Sequence, residues 1–198
     1  MAKVTGVQEK LHMPLYDAFV VPPPPTTGTA PTFRSQMTDP RMIRFFVDVQ
    51  NKTKLETNLQ ASGVLPSQNR FEARALRVVT SGLKADDLSD LIYNSVTTLL
   101  VGEKIMVEAP TYLFPSGAGV SGISLPPAST VANHGDPDPM ATFRFAEPVT
   151  IDPQQNFRIE MLFPQGVPGD AATPTRLAGA GSLRCWMILD GYLTRDVQ

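Results

Sequence analysis

Apolar and polar residues alternate along most of the chain from residue 41 onward, which is the pattern of half-buried β-strands. In Met42–Val49, four apolar residues at odd positions face one way, and Arg44 and Asp48 face the other. Phe71–Val79 repeats this alternation after a turn-rich connection at residues 63–69. Further strands are predicted at Thr97–Val101, Lys104–Glu108, Thr111–Phe114, Thr142–Phe145, Phe157–Phe163, Leu183–Leu189 and Tyr192–Val197.

Two segments break this strand pattern. Residues 84–96 place Leu88, Leu91 and Ile92 at helical spacing, and three aspartates fall in what would be the first turn, where acidic side chains complement the helix dipole. One short helix is therefore predicted there. The Asp190-Gly191 pair lies between two apolar runs, which predicts a tight turn and a hairpin of the last two strands.

Glycine and proline are frequent, with 14 and 19 of 198 residues, and they concentrate in two long irregular segments. Residues 115–141 are expected to form a functional or interfacial loop because of their length, and residues 164–181 form a second loop. A short strand and a turn are expected within residues 148–156. Eight or nine short strands, one helix and long loops are typical of an all-β sandwich or barrel, because nothing alternates helix with strand as a parallel sheet requires.

The N-terminal residues have a different character. Four consecutive prolines, Pro22–Pro25, cannot enter a helix or a central strand, and they favour an extended polyproline conformation. At about 3.1 Å per residue, residues 22–31 span roughly 30 Å. We therefore predict a proline-rich N-terminal arm, residues 1–32, outside the main core, and a β-sandwich domain, residues 33–198. The apolar side chains of residues 11–21 suggest that the arm docks on a neighbouring subunit, and the alternative is a solvated tail.

The charge balance excludes several classes of function. Lysine and arginine number 17 and aspartate and glutamate 19, so the net charge is −2 and nothing attracts the chain generally to nucleic acid or to an anionic membrane. No stretch approaches the roughly 18 apolar residues of a membrane span, and the first six residues lack the apolar core of a secretory signal. The single cysteine, Cys185, excludes an internal disulfide, so folding in a reducing cytosol is expected.

Candidate metal-binding and catalytic groups are few. His12 lies in the predicted arm, which is a poor place for a preorganised base, and His134 lies near Asp136 and Asp138. That loop is compatible with a metal site, but a solvated turn is favoured because a proline follows each aspartate. The glycine-rich run Gly117–Gly122 lacks the flanking strand and helix that a dinucleotide or nucleophile motif requires.

Carboxylates leave one enzymatic alternative open. Glu108, Glu147 and Glu160 lie at or near predicted strands, and a glycosidase needs two carboxylates that face each other across a cleft. The chain has few tryptophan and tyrosine residues to line such a cleft. Cys185, beside the only tryptophan in an apolar segment, is expected to pack in the core rather than to act as a nucleophile.

Arginines cluster on one predicted strand. Arg70, Arg74 and Arg77 lie within eight residues of one another. Arginine suits fixed contacts with carboxylates, so a salt-bridged sheet face or a subunit interface is favoured. A nucleic-acid surface would need more basic residues with interleaved aromatic rings. No catalytic, cofactor-binding or metal-binding residue is therefore assigned.

Four stretches of the chain form a series: Asn58–Pro66 leads into Phe71–Val78, and Ile151–Glu160 and Leu189–Arg195 follow. Over roughly residues 40–198 this series resembles jelly-roll capsid proteins of tailless icosahedral bacterial viruses. The resemblance implies a jelly-roll barrel of eight main strands in two facing sheets that tiles an icosahedral shell. It also implies N-terminal arms that reach neighbouring subunits, and it carries no catalytic residues.

The function expected from this resemblance is that of a virion structural protein. The chain would be a capsid subunit, made in the host cytoplasm, that self-assembles through its loops and N-terminal arm. Its expected partners are other copies of itself and other virion proteins, with no small-molecule substrate, cofactor or enzymatic activity, and membrane contact is left open. The alternatives are a virion receptor-binding or decoration protein and a carbohydrate-binding β-sandwich module.

Overall fold

The computed structural model describes residues 8–21, 42–80, 91–117, 138, 140–164 and 183–196. Within these residues the chain forms nine β-strands in two antiparallel sheets, which confirms the prediction of an all-β sandwich. The strands are β1 (Gln8–His12), β2 (Leu15–Val21), β3 (Met42–Phe45), β4 (Asn69–Thr80), β5 (Val96–Val101), β6 (Lys104–Pro110), β7 (Phe143–Ile151), β8 (Phe157–Leu162) and β9 (Leu183–Asp196). The predicted boundaries of β4, β5, β6 and β8 are correct to within two residues.

The order of the strands identifies the sandwich as a jelly roll. One sheet has the order β1-β9-β4-β7, with β2 also paired to β9, and the other has the order β3-β8-β5-β6. β1 and β2 keep one register along β9, from Gln8 opposite Asp196 to Val21 opposite Leu183, so they act as one strand interrupted at residues 13–14. Counting β1 and β2 as one strand leaves eight strands in chain order. The first pairs with the last, the second with the seventh, the third with the sixth and the fourth with the fifth, which is the jelly-roll pattern.

The core lies between the two sheets. Alternation along the strands turns Leu76 and Val78 of β4 and Met187 and Leu189 of β9 inward, while their neighbours face outward. Phenylalanine fills much of the space between the sheets. The six that are at most 1 % exposed are Phe45, Phe46, Phe71, Phe114, Phe157 and Phe163. Since these rings come from both sheets and from the connecting loops, the core joins the whole described part of the chain.

Residues 8–21 belong to the sandwich, so the prediction that residues 1–32 form an arm outside the core is wrong for this stretch. Leu15 and Ala18 of β2 are at most 3 % exposed, and Asp17 is fully buried. The stretch that suggested docking on a neighbouring subunit instead pairs, strand to strand, with β9 of the same chain. The proline-rich residues 22–31 and the predicted boundary between residues 32 and 33 lie outside the described residues.

The predicted hairpin at Asp190-Gly191 is wrong, because β9 continues straight through this pair. The glycine has another role. The neighbouring strand β4 carries a bulge between Ala73 and Ala75, opposite this point. A Cβ atom on Gly191 would lie 2.0 Å from the carbonyl oxygen of Glu72. Glycine is therefore needed here for the close approach of two strand backbones rather than for a turn.

The first predicted strand is shorter than expected. β3 ends at Phe45 rather than at Val49, because Phe46 takes a positive φ of 70° that no strand accommodates. The Phe46 ring nevertheless stays in the core, 5.3 Å from the ring of Phe157. The chain then continues as an irregular segment, residues 46–57, whose position matters for the outward face described below.

The segment after β6 is a turn of 3-10 helix, Thr111–Leu113, rather than the strand predicted at Thr111–Phe114. It packs against the end of the predicted helix: residues 91–93 are helical, and residues 84–90 lie outside the described residues. The buried Ser95 hydroxyl lies 2.7 Å from both the Leu91 carbonyl oxygen and the Thr111 hydroxyl, and so it joins the two. These bonds satisfy polar groups that would otherwise be buried without partners.

The remaining predictions concern β7 and the two long loops. β7 begins one residue later than predicted but extends to Ile151, so it includes the short strand expected near Pro148. The loop at residues 115–141 is described only at residues 115–117, 138, 140 and 141, and the loop at residues 164–181 only at residue 164.

Candidate functional site

The outward face of the five-stranded sheet carries two adjoining depressions, formed by side chains that alternate with those of the core. We call the first the apolar groove. It has a volume of about 360 Å³ and is lined by Tyr16, Lys54, Leu55, Val79, Trp186 and Ile188. We call the second the charged cleft. It has a volume of about 520 Å³, and its lining includes His12, Arg74, Arg77, Arg144, Asp190 and Tyr192. The two depressions meet along β9, since Ile188 belongs to one and Asp190 to the other.

Three neighbouring strands form the floor and walls of the apolar groove. The register of β2 and β9 places Tyr16 directly beside Ile188. On the other side of β9, the register of β4 places Val79 beside Trp186. Cross-strand neighbours on one face stand about 5 Å apart, so these four side chains form one continuous apolar surface.

The polar atoms of both aromatic rings are already used. The Tyr16 hydroxyl donates to the carbonyl oxygen of Lys54, and Trp186 Nε1 donates to that of Leu55 at 2.9 Å. These bonds fix the two rings against the segment that follows β3. The Leu55 side chain at the rim is 60 % exposed. An exposed apolar groove with satisfied ring donors is suited to an apolar partner.

A buried carboxylate holds the segment that forms one wall of the groove. Asp17 Oδ2 accepts a hydrogen bond from the Phe46 N–H at 2.7 Å, and both carboxylate oxygens lie within 2.9 Å of Lys52 Nζ. The Thr57 hydroxyl is a further partner. Burial raises the pKa of Asp17, and the opposing effects of Lys52 and of the hydrogen-bond donors are smaller. The segment that carries residues 54–55 is thereby tied to β2 at both ends.

The charged cleft opens where two strands bulge. Between the pairs Ala73–Val149 and Ala75–Arg144, β7 has four residues opposite the single residue Arg74. Bulges of this kind locally interrupt the ladder and redirect side chains. At the floor of the cleft, Arg77 Nη2 donates to Asp190 Oδ1 at 2.9 Å, and Arg77 Nη1 donates to the Ser116 carbonyl oxygen at 3.1 Å.

Tyr192 lies at the β1 side of the charged cleft, among basic neighbours. Lys10 Nζ lies 4.7 Å and the Arg74 guanidinium 5.2 Å from the centre of its ring, and the His12 ring lies 5.5 Å away. Glu72 pairs with both Lys10 and Arg74, and their hydrogen bonds hold the pKa of this partly exposed carboxyl below its usual range. The basic groups are thus matched by carboxylates of the same chain, which disfavours an anion site.

The three clustered arginines form a salt-bridged sheet face, which confirms that interpretation of them. The ion pairs are Arg70–Asp152, at 3.0 Å, Arg74–Glu72 and Arg77–Asp190. His12, which the sequence predicts to lie in the arm, lies in β1 and contributes to the same face. The structure therefore brings together four residues that the sequence placed in two separate parts of the protein.

The carboxylates considered for a glycosidase do not face one another across a cleft. Glu108 of β6 and Glu160 of β8 both stand opposite Thr98, so they flank it on the outward side of the four-stranded sheet. Their side chains project side by side, whereas the reaction needs carboxyl groups on both sides of the scissile bond. Glu160 is also bonded to Arg158 Nε at 2.7 Å, and Glu147 lies in the other sheet.

The metal alternative concerns three candidate ligands, His134, Asp136 and Asp138, of which only Asp138 is described. His134 and Asp136 lie outside the described residues. Asp138 Oδ1 accepts a hydrogen bond from the Met140 N–H at 2.8 Å, and the Asp138 N–H donates to the Gly117 carbonyl oxygen at 3.1 Å, which is the behaviour of a turn residue. Among the residues that the structure describes, no three histidine, cysteine, aspartate or glutamate side chains are grouped as metal ligands.

Cys185 is buried in the core, as predicted, and burial raises its pKa to about 12. At pH 8 only about one thiol in ten thousand is then ionised, and the thiolate is the reactive form. We expect Ellman's reagent to label the native chain at least a hundredfold more slowly than the chain unfolded in urea. Equal labelling rates in the two states would contradict the buried position.

No family model matches the chain, and no curated protein matches it. Within the described ranges, none of the helical residues belongs to a segment long and apolar enough to cross a membrane.

The sequence pattern alone does not identify two residues that shape this face, the buried Asp17 and the exposed Leu55. Asp17 is the charged residue within the otherwise apolar run Leu15–Val21, and a charge in such a run is the signal that marks a buried, partnered group. Leu55 lies in a segment without strand periodicity, so no local pattern distinguishes it. Its role follows only from the bond between its backbone and Trp186.

Proposed function

We propose that the chain is a virion structural protein, a capsid subunit that assembles with copies of itself into an icosahedral shell. The observation that carries the proposal is the strand order, in which the eight strand positions pair first with last through to fourth with fifth. Jelly rolls form capsid subunits, and they also occur in lectins and cupins. The resemblance of residues 40–198 to jelly-roll capsid proteins of tailless icosahedral bacterial viruses favours the first of these uses.

The outward face of the five-stranded sheet supports self-association. The apolar groove joins the exposed Leu55 to a tryptophan and a tyrosine, and the charged cleft beside it is rich in arginine. Aromatic residues and arginine are the types that dominate protein–protein contacts, and an exposed apolar patch with a polar border is typical of one. The proposed partners are therefore other copies of the chain and other virion proteins, and the proposed location is the virion, after synthesis in the host cytoplasm.

The mass of the purified particle tests this function. We expect light scattering to give a mass of many chains, and negative-stain electron microscopy to show closed shells or large rings. Dilution into low protein concentration distinguishes stable particles from loose aggregates, since only the latter disperse without a defined size. A stable monomer or trimer at high concentration would contradict the capsid proposal.

A second candidate, a receptor-binding or carbohydrate-binding β-sandwich, is favoured by one observation. Tyr93 and Tyr112 are 69 % and 50 % exposed, and their rings lie 5.8 Å apart. Exposed tyrosines combine an apolar ring with a polar tip, which suits the face of a sugar. Screening the wild-type chain and a Tyr93→Ala, Tyr112→Ala double variant on a glycan array tests this use. A wild-type signal that the variant loses would support it, and no signal would refute it.

A further inference from the structure

The apolar groove has a chemistry that few peptide segments match. The ring donors of Tyr16 and Trp186 are bonded to the backbone of residues 54–55, and apart from Lys54 and the tyrosine hydroxyl the lining is apolar. A peptide that lays free N–H groups on such a surface leaves them without acceptors, and each buried unpaired group costs about 1–3 kcal/mol. An apolar, extended segment without N–H groups avoids this cost when its carbonyl oxygens, which the bonded ring donors cannot serve, face solvent.

The chain itself contains such a segment. Pro22–Pro25 provides four successive residues without an N–H, and residues 22–31 carry no charge. Polyproline segments lose little conformational freedom on binding, and they dock in grooves lined by aromatic rings. We propose that the apolar groove binds Pro22–Pro25 of a second copy of this chain, an inference that rests on the proposed self-assembly.

The position of the groove favours a second copy over the same chain. Val21, the last residue of β2, pairs with Leu183, three residues along β9 from Trp186. The segment of the same chain would have to reverse direction at once to reach Trp186. Consecutive prolines resist a sharp reversal, because each fixes its own φ near −65° and restricts the residue before it. Repeated from copy to copy, this contact is head-to-tail, and such contacts form a ring where the rotation between copies closes and an open filament where it does not.

A disulfide-trapping experiment tests the proposal on the full-length chain. Two single variants, Leu55→Cys and Thr26→Cys, are mixed and oxidised with copper phenanthroline, and the products are separated without reductant. The native thiol does not compete, because Cys185 is buried. We expect linked pairs of chains, at least tenfold more abundant than in a matched mixture with Ile105→Cys, whose aliphatic side chain is 53 % exposed on the other sheet. Changing Pro22–Pro25 to serines should lower the yield at least fivefold.

Several results would overturn the proposal. A yield of linked pairs with Leu55→Cys no greater than with Ile105→Cys would show that the proline segment does not bind the groove. If Leu55→Cys chains form disulfides chiefly with other Leu55→Cys chains, two grooves pack face to face. If a chain that carries both substitutions forms the disulfide only within one molecule, the groove binds the proline segment of the same chain.

The particle mass of the reduced wild-type chain, measured in parallel, separates this proposal from the proposed function. Particles without the link between residues 26 and 55 would refute the docking contact and leave the capsid function standing. The link without particles would refute the capsid function and leave the docking contact standing.

Discussion

Replacing Gly191 with alanine is expected to prevent folding, or to lower the free energy of unfolding by more than about 4 kcal/mol. The new Cβ would lie 2.0 Å from the Glu72 carbonyl oxygen and 2.9 Å from the carbonyl carbon, and both atoms belong to the backbone of β4. A side chain can rotate away from such a contact, but β4 is held by β9 on one side and by β7 on the other. The central pair of strands would therefore have to separate. Urea unfolding, followed by the fluorescence of Trp186, measures the loss.

Gly102→Ala is the matched control. Gly102 lies in the turn between β5 and β6, with a positive φ of 60° and no atom within 4 Å of the position that a methyl group would take. Alanine in this left-handed conformation costs roughly 1–2 kcal/mol. The comparison isolates the steric contact at Gly191 from the general effect of adding a methyl group. Equal losses in the two variants would show that β4 and β9 do not approach each other as closely as described.

Asp17→Ala is expected to lower the free energy of unfolding by about 3–5 kcal/mol, because it removes one partner of a buried ion pair. The change leaves the Phe46 N–H without its acceptor and Lys52 without its counter-charge. Because these bonds hold residues 46–57 against β2, the groove should loosen before the sandwich unfolds. A shift of the Trp186 emission toward that of solvent-exposed indole, at urea concentrations below the main transition, is the measurement that detects this loosening.

Asp17→Asn is the control, because it keeps an acceptor for Phe46, and we expect a smaller loss of about 1–2 kcal/mol. This variant also tests the pKa. Since burial raises the pKa of Asp17 above its ordinary value of 3.8, the native state holds this proton more tightly than the unfolded chain does. The stability it contributes is complete below that ordinary value and is lost as the pH rises through the raised pKa. The stability difference between wild type and Asp17→Asn should therefore narrow from pH 4 to pH 7. A difference that widens would show that Lys52 outweighs burial.

Local periodicity was sufficient to predict most strands but not their order. Consecutive residues of a strand face opposite sides of the sheet, so burial leaves a pattern in neighbouring residues. The alternation in Phe71–Val79 and the apolar run Phe157–Phe163 are such local patterns. The pairing of residues 8–21 with β9 joins parts of the chain more than 160 residues apart, and no local pattern records it. Because this pairing leaves no local pattern, the sequence predicts an arm for residues 11–21, which the structure places in the sandwich.

The error at Asp190-Gly191 has a related cause. A glycine after an aspartate is required by a tight turn and also by a strand that passes close to a bulge, so the two-residue signal is the same in both cases. Only the partner strand distinguishes them, because the bulge that makes glycine necessary lies on β4. The ion-paired face formed by the arginines of β4 was predictable, because arginine side chains pair with carboxylates. The apolar groove was not predictable, because it combines three strands with a segment that has no periodicity of its own.

The pairing of the first strand with the last has a consequence for how the protein is made. Val21 pairs with Leu183, so 183 − 21 = 162 residues must be added after β2 leaves the ribosome before its partner begins to appear. At about 5–20 residues per second, that takes roughly 8–32 s. Because β9 lies between β2 and β4, both strands keep an unpaired edge throughout this interval, and such edges are templates for joining other chains. Completion of the five-stranded sheet therefore waits for the synthesis of β9, and nascent chains crowded on one message are the molecules most exposed to pairing with the wrong copy.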